Sequence, residues 1–370
     1  MFRRLCALFV LASCLVAAPV VAAPVPHPAP SAAPDIGGLI RDLGSSSQKV
    51  REAASQRLQQ MPRDKVLEVA AQLAGGTLKL QPLPTQLYSI PAVALGVLND
   101  MGDARAGRIA LQQGASTDAD MRDSACAVIA KMPKDEDAAK FLVAAFQTWG
   151  QSNVSGVRSL FRALDQPDIM TRPDMHAAIV AFLNTPLPAV DPRFKYGDAH
   201  EPPHDGDQHR CWLYKADATL YLIARYPWPG ARPGVVRCLG LDELRVGAAV
   251  ALPAVGGGTD YSDLLRELIK RDTSTEHRLA LYRALVLLKL DSSDDRMAAR
   301  DLFTSTAAPS PAWIQGLSAM VALFAVHEDE PALRVVSIWK LTGEAADIRA
   351  SAMAAMREAH PELYDKILSH

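Results

Sequence analysis

The chain has 370 residues, 49% of them hydrophobic and 22% charged, with a formal net charge of −2 at pH 7. That balance suits a folded, soluble body with a sizeable buried core. It excludes a strongly basic nucleic-acid binder, and no Lys/Arg block interleaved with aromatics offsets the charge, so nucleic acid is not an expected partner.

The N-terminus reads as a targeting segment. Met1-Phe2-Arg3-Arg4 is a short positive region, Leu5 to Val21 is apolar, and Val20-Val21-Ala22-Ala23 offers small residues for cleavage, so residues 1–23 form a signal peptide and the mature chain is exported, most simply to a periplasm. Pro19 interrupts the apolar stretch, which argues against a retained membrane helix. Leu11-Ala12-Ser13-Cys14 resembles a bacterial lipobox and supplies a second reading, in which Cys14 is lipidated and holds the chain on a membrane. The apolar run continues past it through Leu15-Val16-Ala17-Ala18, so ordinary cleavage near Ala22 or Ala23 is preferred. Residues 24–35 contain Pro24, Pro26, Pro28, Pro30 and Pro34, a composition that favours an extended, disordered linker over a packed helix.

From residue 36 to 368 one helical phrase returns: an apolar residue, Arg, two residues, Ala, three residues, an aliphatic. Clear copies are Val50-Arg51 with Ala54 and Leu58, Met121-Arg122 with Ala125 and Ile129, Leu244-Arg245 with Ala248 and Leu252, and Ile348-Arg349 with Ala352 and Met356. Degenerate copies start at Gln86, Arg158, Lys215, Arg278 and Gln315; the Arg158 copy is poor because Asp165 stands where the aliphatic belongs. Arg51 and Arg122 are 71 positions apart, as are Arg278 and Arg349, which is two repeats of about 35, a period of helix-pair arrays. Residues three and four apart share a helix face, so Val50, Ala54 and Leu58 are expected on one buried stripe. Ser47, Asp118, Asp120, Asp242, Thr275 and Asp347 precede the phrase as candidate helix caps. Period-two runs of β-branched and aromatic residues are scarce, so the expected class is all-α: an α-solenoid of stacked antiparallel helix pairs.

These residues give the chain a resemblance to the HEAT and HEAT-like (PBS-lyase-type) repeat family, whose second helix carries an apolar residue, then Arg, then a small residue three later. The resemblance covers about Leu39 to His360. It implies a stack in which each repeat touches its neighbours, and a role as scaffold, adaptor or, in some members, enzyme.

The array is interrupted at about 186–210. Arg158 to Lys215 is 57 positions, too long for one repeat, and Pro186, Pro188, Pro192, Gly197, Pro202, Pro203 and Gly206 mark an inserted surface loop. It carries Asp198, His200, Glu201, His204, Asp205, Asp207 and His209. His200, His204, Asp205 and His209 are the candidate ligands for a divalent metal such as zinc, the one cofactor the sequence suggests, although the spacing follows no known motif and a solvated loop is the simpler reading. His200-Glu201 and His327-Glu328 are similar to the His-Glu pairs of HEAT-repeat hydroxylases that bind two irons. That family needs four such pairs and this chain has two, neither at the matching place in a repeat helix.

Three cysteines lie in the body. Cys211 and Cys238 sit in neighbouring elements and are the expected disulfide if the chain is exported, leaving Cys126 as a small buried hydrophobe. Aromatics cluster around Tyr226-Pro227-Trp228-Pro229, where core packing is the simpler reading; if the cluster is a binding surface, Trp212 and Trp228 are its anchors. With no catalytic constellation in the sequence, the expected function is a non-catalytic scaffold for a protein partner of the cell envelope or exterior, touching a membrane only through a lipidated Cys14. The alternative is a metal-binding protein or metal-dependent enzyme that uses the inserted loop.

Overall fold

The computed structural model describes residues 35–132, 134–149, 157–194, 206–256, 261–306 and 310–327, with single positions at 346, 350, 361 and 362. The expected signal peptide, the linker up to residue 34, Cys14 and most of the last phrase lie outside the described residues.

Seventeen α-helices are described, and no strand; an isolated bridge joins Ser45 to Gln86. They are α1 Ile36–Asp42, α2 Gln48–Gln59, α3 Arg63–Ala74, α4 Ile90–Asp100, α5 Arg105–Gln113 and α6 Ala119–Ile129. Next come α7 Glu136–Thr148, α8 Val157–Leu164, α9 Pro167–Met170, α10 Pro173–Leu183 and α11 Gln208–Arg225. The last six are α12 Arg232–Leu239, α13 Arg245–Ala251, α14 Tyr261–Arg271, α15 Thr275–Leu287, α16 Ser293–Thr304 and α17 Pro311–Val326.

Their order in space follows the repeat. The helices α4, α6, α8, α11, α13, α15 and α17 pack each on the next and form one layer; all of them carry or directly follow a copy of the phrase. Helices α3, α5, α7, α10 and α12 form a second layer behind it, while α14 and α16 back α15 and α17. This is a solenoid-like arrangement, built because one apolar stripe on a helix pair can be buried only against the next pair. Ala125 and Ile129, Ala248 and Leu252, and Leu281 and Leu285 are all buried, as the phrase requires.

Two copies depart from expectation. Val50 remains 37% exposed because α2 has α1 as its principal neighbour and buries Ala54 alone. Gln86 lies before α4, in the bridge to Ser45, where its Nε2 donates to the carbonyls of Arg41 at 3.1 Å and Tyr88 at 2.9 Å.

The caps also sort themselves. Asp118 caps α6 by accepting from the amides of Asp120 and Met121, whereas Asp120 instead accepts from the Ser89 amide at 2.7 Å and ties α6 to the start of α4. Ser274, one residue before the expected Thr275, caps α15.

The phrase arginines share one habit. Arg51 Nη1 donates to the Ser45 carbonyl at 2.7 Å, Arg122 Nη1 to Ser116 at 2.8 Å and Arg245 Nε to Leu239 at 3.0 Å, in each case six residues back. The side chain thus curls over its own helix start and satisfies a carbonyl of the preceding connection.

Candidate functional site

The inserted loop leaves the end of α10 and returns at the start of α11. Residues 195–205 lie outside the described residues, and with them Asp198, His200, Glu201, His204 and Asp205. Its base is described: the His209 Nδ1 and the Pro188 carbonyl are 2.7 Å apart and close the loop across 21 residues. Asp207 is buried at the N-cap of α11, its Oδ1 accepting from the Arg210 amide at 3.1 Å while Oδ2 has no partner. Among the described residues no group of three or more His, Cys, Asp or Glu could hold a metal ion. Asp207, as a helix cap, and His209, as a latch, stand at the hinge where the loop meets α11.

Beside that hinge the structure forms a cleft of about 440 Å³, lined by Gln147 of α7, Ala178, Ala181 and Phe182 of α10, Thr185, Pro186 and Pro188 of the loop, and Gln208, Trp212 and Lys215 of α11. An aromatic chain runs through it: Trp212 meets Phe182 at 5.4 Å between ring centroids, Phe182 meets Phe146 edge-on at 5.8 Å, and Phe146 meets Phe161 edge-on at 6.0 Å.

Lys215 occupies the phrase position that elsewhere holds Arg or Gln, and it is 1% exposed. Its ammonium lies 4.5 Å from the Phe146 ring centroid and 4.6 Å from that of Phe182, a double cation–π contact. It donates to the Phe146 carbonyl and, at 2.9 Å, to the Trp149 carbonyl, so it covers the C-terminal end of α7. No carboxylate pairs with it among the described residues, and burial pulls its pKa down to about 8. The sequence marked Lys215 only as a degenerate copy. The usable signal was a lysine in a position held by Arg or Gln in the other copies, three residues after a tryptophan.

Trp212 does not project as an outward anchor. It is 5% exposed, and its Nε1 donates to Thr185 Oγ1 at 2.9 Å, because α11 turns it in toward α10. Trp228 stacks flat on His176, centroids 4.1 Å apart and planes 4° apart, while His176 Nε2 sits 2.7 Å from the Met170 carbonyl.

The expected Cys211–Cys238 bridge is likewise not formed. Both sulfurs are buried, but Cys238 belongs to α12, which packs on α10 and α13, whereas Cys211 lies in the first turn of α11. Burial pushes the Cys238 thiol up to about 11 and the Cys126 thiol to about 12, so neither is a ready nucleophile.

On the phrase-helix layer, Asp123 of α6 and Asp217 of α11 are exposed, yet desolvation pushes both carboxyls upward. Both side chains keep contact with water while neighbouring groups crowd them. Arg283 of α15 is half-buried, its Nε and Nη1 without hydrogen-bond partners, and burial pushes its guanidinium down.

No family model matches the chain, and no curated protein does. Among solved structures, the complex of CpcE and CpcF of phycocyanin lyase from Nostoc sp. PCC7120 aligns with 17% identity over 78% of this chain and 99% of that one, at a TM-score of 0.31. The crystal structure of an engineered protein aligns with 15% identity over 88% of this chain and 98% of that one, at a TM-score of 0.20. Neither likeness is close enough to bear on function. No described helix is long and apolar enough to cross a membrane.

Proposed function

We propose that this chain is an exported HEAT-like repeat protein that acts as a scaffold, holding a protein partner of the cell envelope against its phrase-helix layer. The supporting observation is that seven phrase helices, α4 to α17, pack in sequence into one continuous layer. Asp123 and Asp217 stand on that layer, crowded but still in contact with water. A long wall of this kind recognises an extended segment or a helix by many shallow contacts, and polar side chains already partly desolvated lose less water when a partner covers them.

The test is cross-linking of the tagged protein in its own host's envelope, followed by mass spectrometry. A defined partner should be captured, lost when Asp123 and Asp217 are both changed to Arg, and retained when His200, His204 and His209 are changed to Ala. Retention by the first variant together with loss by the second would move the function to the inserted loop. Fractionation of the same cells, with and without Cys14→Ala, separates ordinary export from lipid anchoring.

A further inference from the structure

We propose that the cleft at the base of the inserted loop is a binding site for a small organic carboxylate, with the acid group on Lys215 and an apolar body along Phe182 and Trp212. Lysine is almost never fully buried unless it is paired. Here the ammonium has two carbonyls and two ring faces around it and, among the described residues, no carboxylate, although it borders a cleft of about 440 Å³. An ammonium carries three donors. The carbonyls of Phe146 and Trp149 take two, and no described residue accepts the third.

The rest of the lining suits the body of such a ligand. Phe182 and the buried Trp212 give aromatic surface, and Gln147, Thr185 and Gln208 bring polar side chains to the rim. The volume falls within the range of small-molecule sites, which are apolar hollows with a few placed polar groups. Trp212 is fixed from behind by its bond to Thr185 and by Arg237 of α12, whose guanidinium carbon lies 5.9 Å from its ring. A wall held in this way is formed before any ligand arrives, which lowers the entropic cost of binding. The same arrangement suits lysine at this copy of the phrase, where the clear copies carry arginine. A compact ammonium fits between two phenyl rings and leaves a point charge at the cleft, whereas a guanidinium would have to spread its planar fork across them.

The experiment is calorimetric titration of the whole chain with benzoate and, separately, with the neutral isostere benzamide, up to about 20 mM, since a single charge-assisted contact with one ring gives millimolar affinity. Benzoate should bind with a stoichiometry near one and at least about tenfold more tightly than benzamide, the scale of one charge-assisted hydrogen bond. Lys215→Met, which keeps the length of the stem, should remove that preference, and Lys215→Arg should not restore it in full. Equal affinity for the two compounds in the wild-type chain, or no saturable heat with either, overturns the proposal. That comparison needs no variant, so it stands even if Lys215→Met fails to fold.

Discussion

Arg245 and Asp272 form a buried ion pair between successive phrase helices. The side chains are 9% and 5% exposed, and the arginine on α13 reaches the connection that leads into α15. The same guanidinium donates to the Leu239 carbonyl and meets Asp242, while Asp272 also accepts from His277 Nδ1 at 3.0 Å and from the Ser274 amide at 2.8 Å. One side chain therefore joins its own helix start to the next repeat, and hydrogen bonds from Ser274, Arg245 and His277 more than offset burial and hold the Asp272 carboxyl below its usual range.

Removing one partner of such a pair strands the other. Arg245→Met should lower unfolding stability by about 3 kcal/mol, because Asp272 would remain buried without its cation. Arg51→Met should cost under about 1 kcal/mol, since Arg51 bonds only to carbonyls of a more exposed connection. Urea denaturation of both variants checks the ordering, and similar losses in the two would refute it.

Lys215 makes a pH-dependent contribution whose sign can be worked out. Its folded pKa is about 8, below the ordinary lysine value of 10.5. Between those values the unfolded chain binds more protons than the folded one, so stability rises with pH across that window. The wild type should gain up to about 3 kcal/mol relative to Lys215→Met between pH 8 and 10.5, on the scale of 1.36 kcal/mol per pKa unit. Parallel melting curves at a series of pH values give the difference, and two curves that run parallel throughout would contradict the assignment.

Two helical glycines should respond oppositely to alanine. A Cβ at Gly234 would lie 2.9 Å from the Cβ of the buried Leu183, an atom that cannot swing aside, whereas a Cβ at Gly96 meets nothing within 4 Å. Gly234→Ala should destabilise by about 1–2 kcal/mol as overpacking exceeds the gain in helix propensity. Gly96→Ala should stabilise by up to about 1 kcal/mol. Thermal melts of the pair read out the contrast.

Arg283 buries its Nε and Nη1 without hydrogen-bond partners, and no carboxylate among the described residues pairs with it. Replacing it with Met should raise stability by about 1–2 kcal/mol, since an apolar chain of similar length carries no desolvation cost. A loss of stability measured by urea unfolding would mean that the guanidinium has a partner in the folded chain.

The repeat was legible because it is local. Apolar, small and aliphatic residues at fixed offsets place their side chains on one helix face whatever else surrounds them, so the buried Ala125, Ile129, Ala248 and Leu252 could be read directly from spacing. The inserted loop at about 186–210 was expected from its Pro and Gly residues, and the described ends of that stretch lie between α10, which stops at Leu183, and α11, which starts at Gln208. Cys211 and Cys238 were read less well, while the buried Trp212 fits core packing, the simpler of its two readings. Which way a tryptophan turns, and whether two sulfurs meet, depends on how α10, α11 and α12 pack rather than on any interval along the chain.

The sequence by itself determined that this protein is helical and that its helical phrase returns about every 35 residues, because both follow from backbone preference and one-dimensional period. Only the tertiary structure decided that Lys215 is sealed between Phe146 and Phe182 over the end of α7. The residues that set its charge and its access to the cleft come from segments 69 and 33 positions away, and their meeting is a property of packed helices, not of any local pattern.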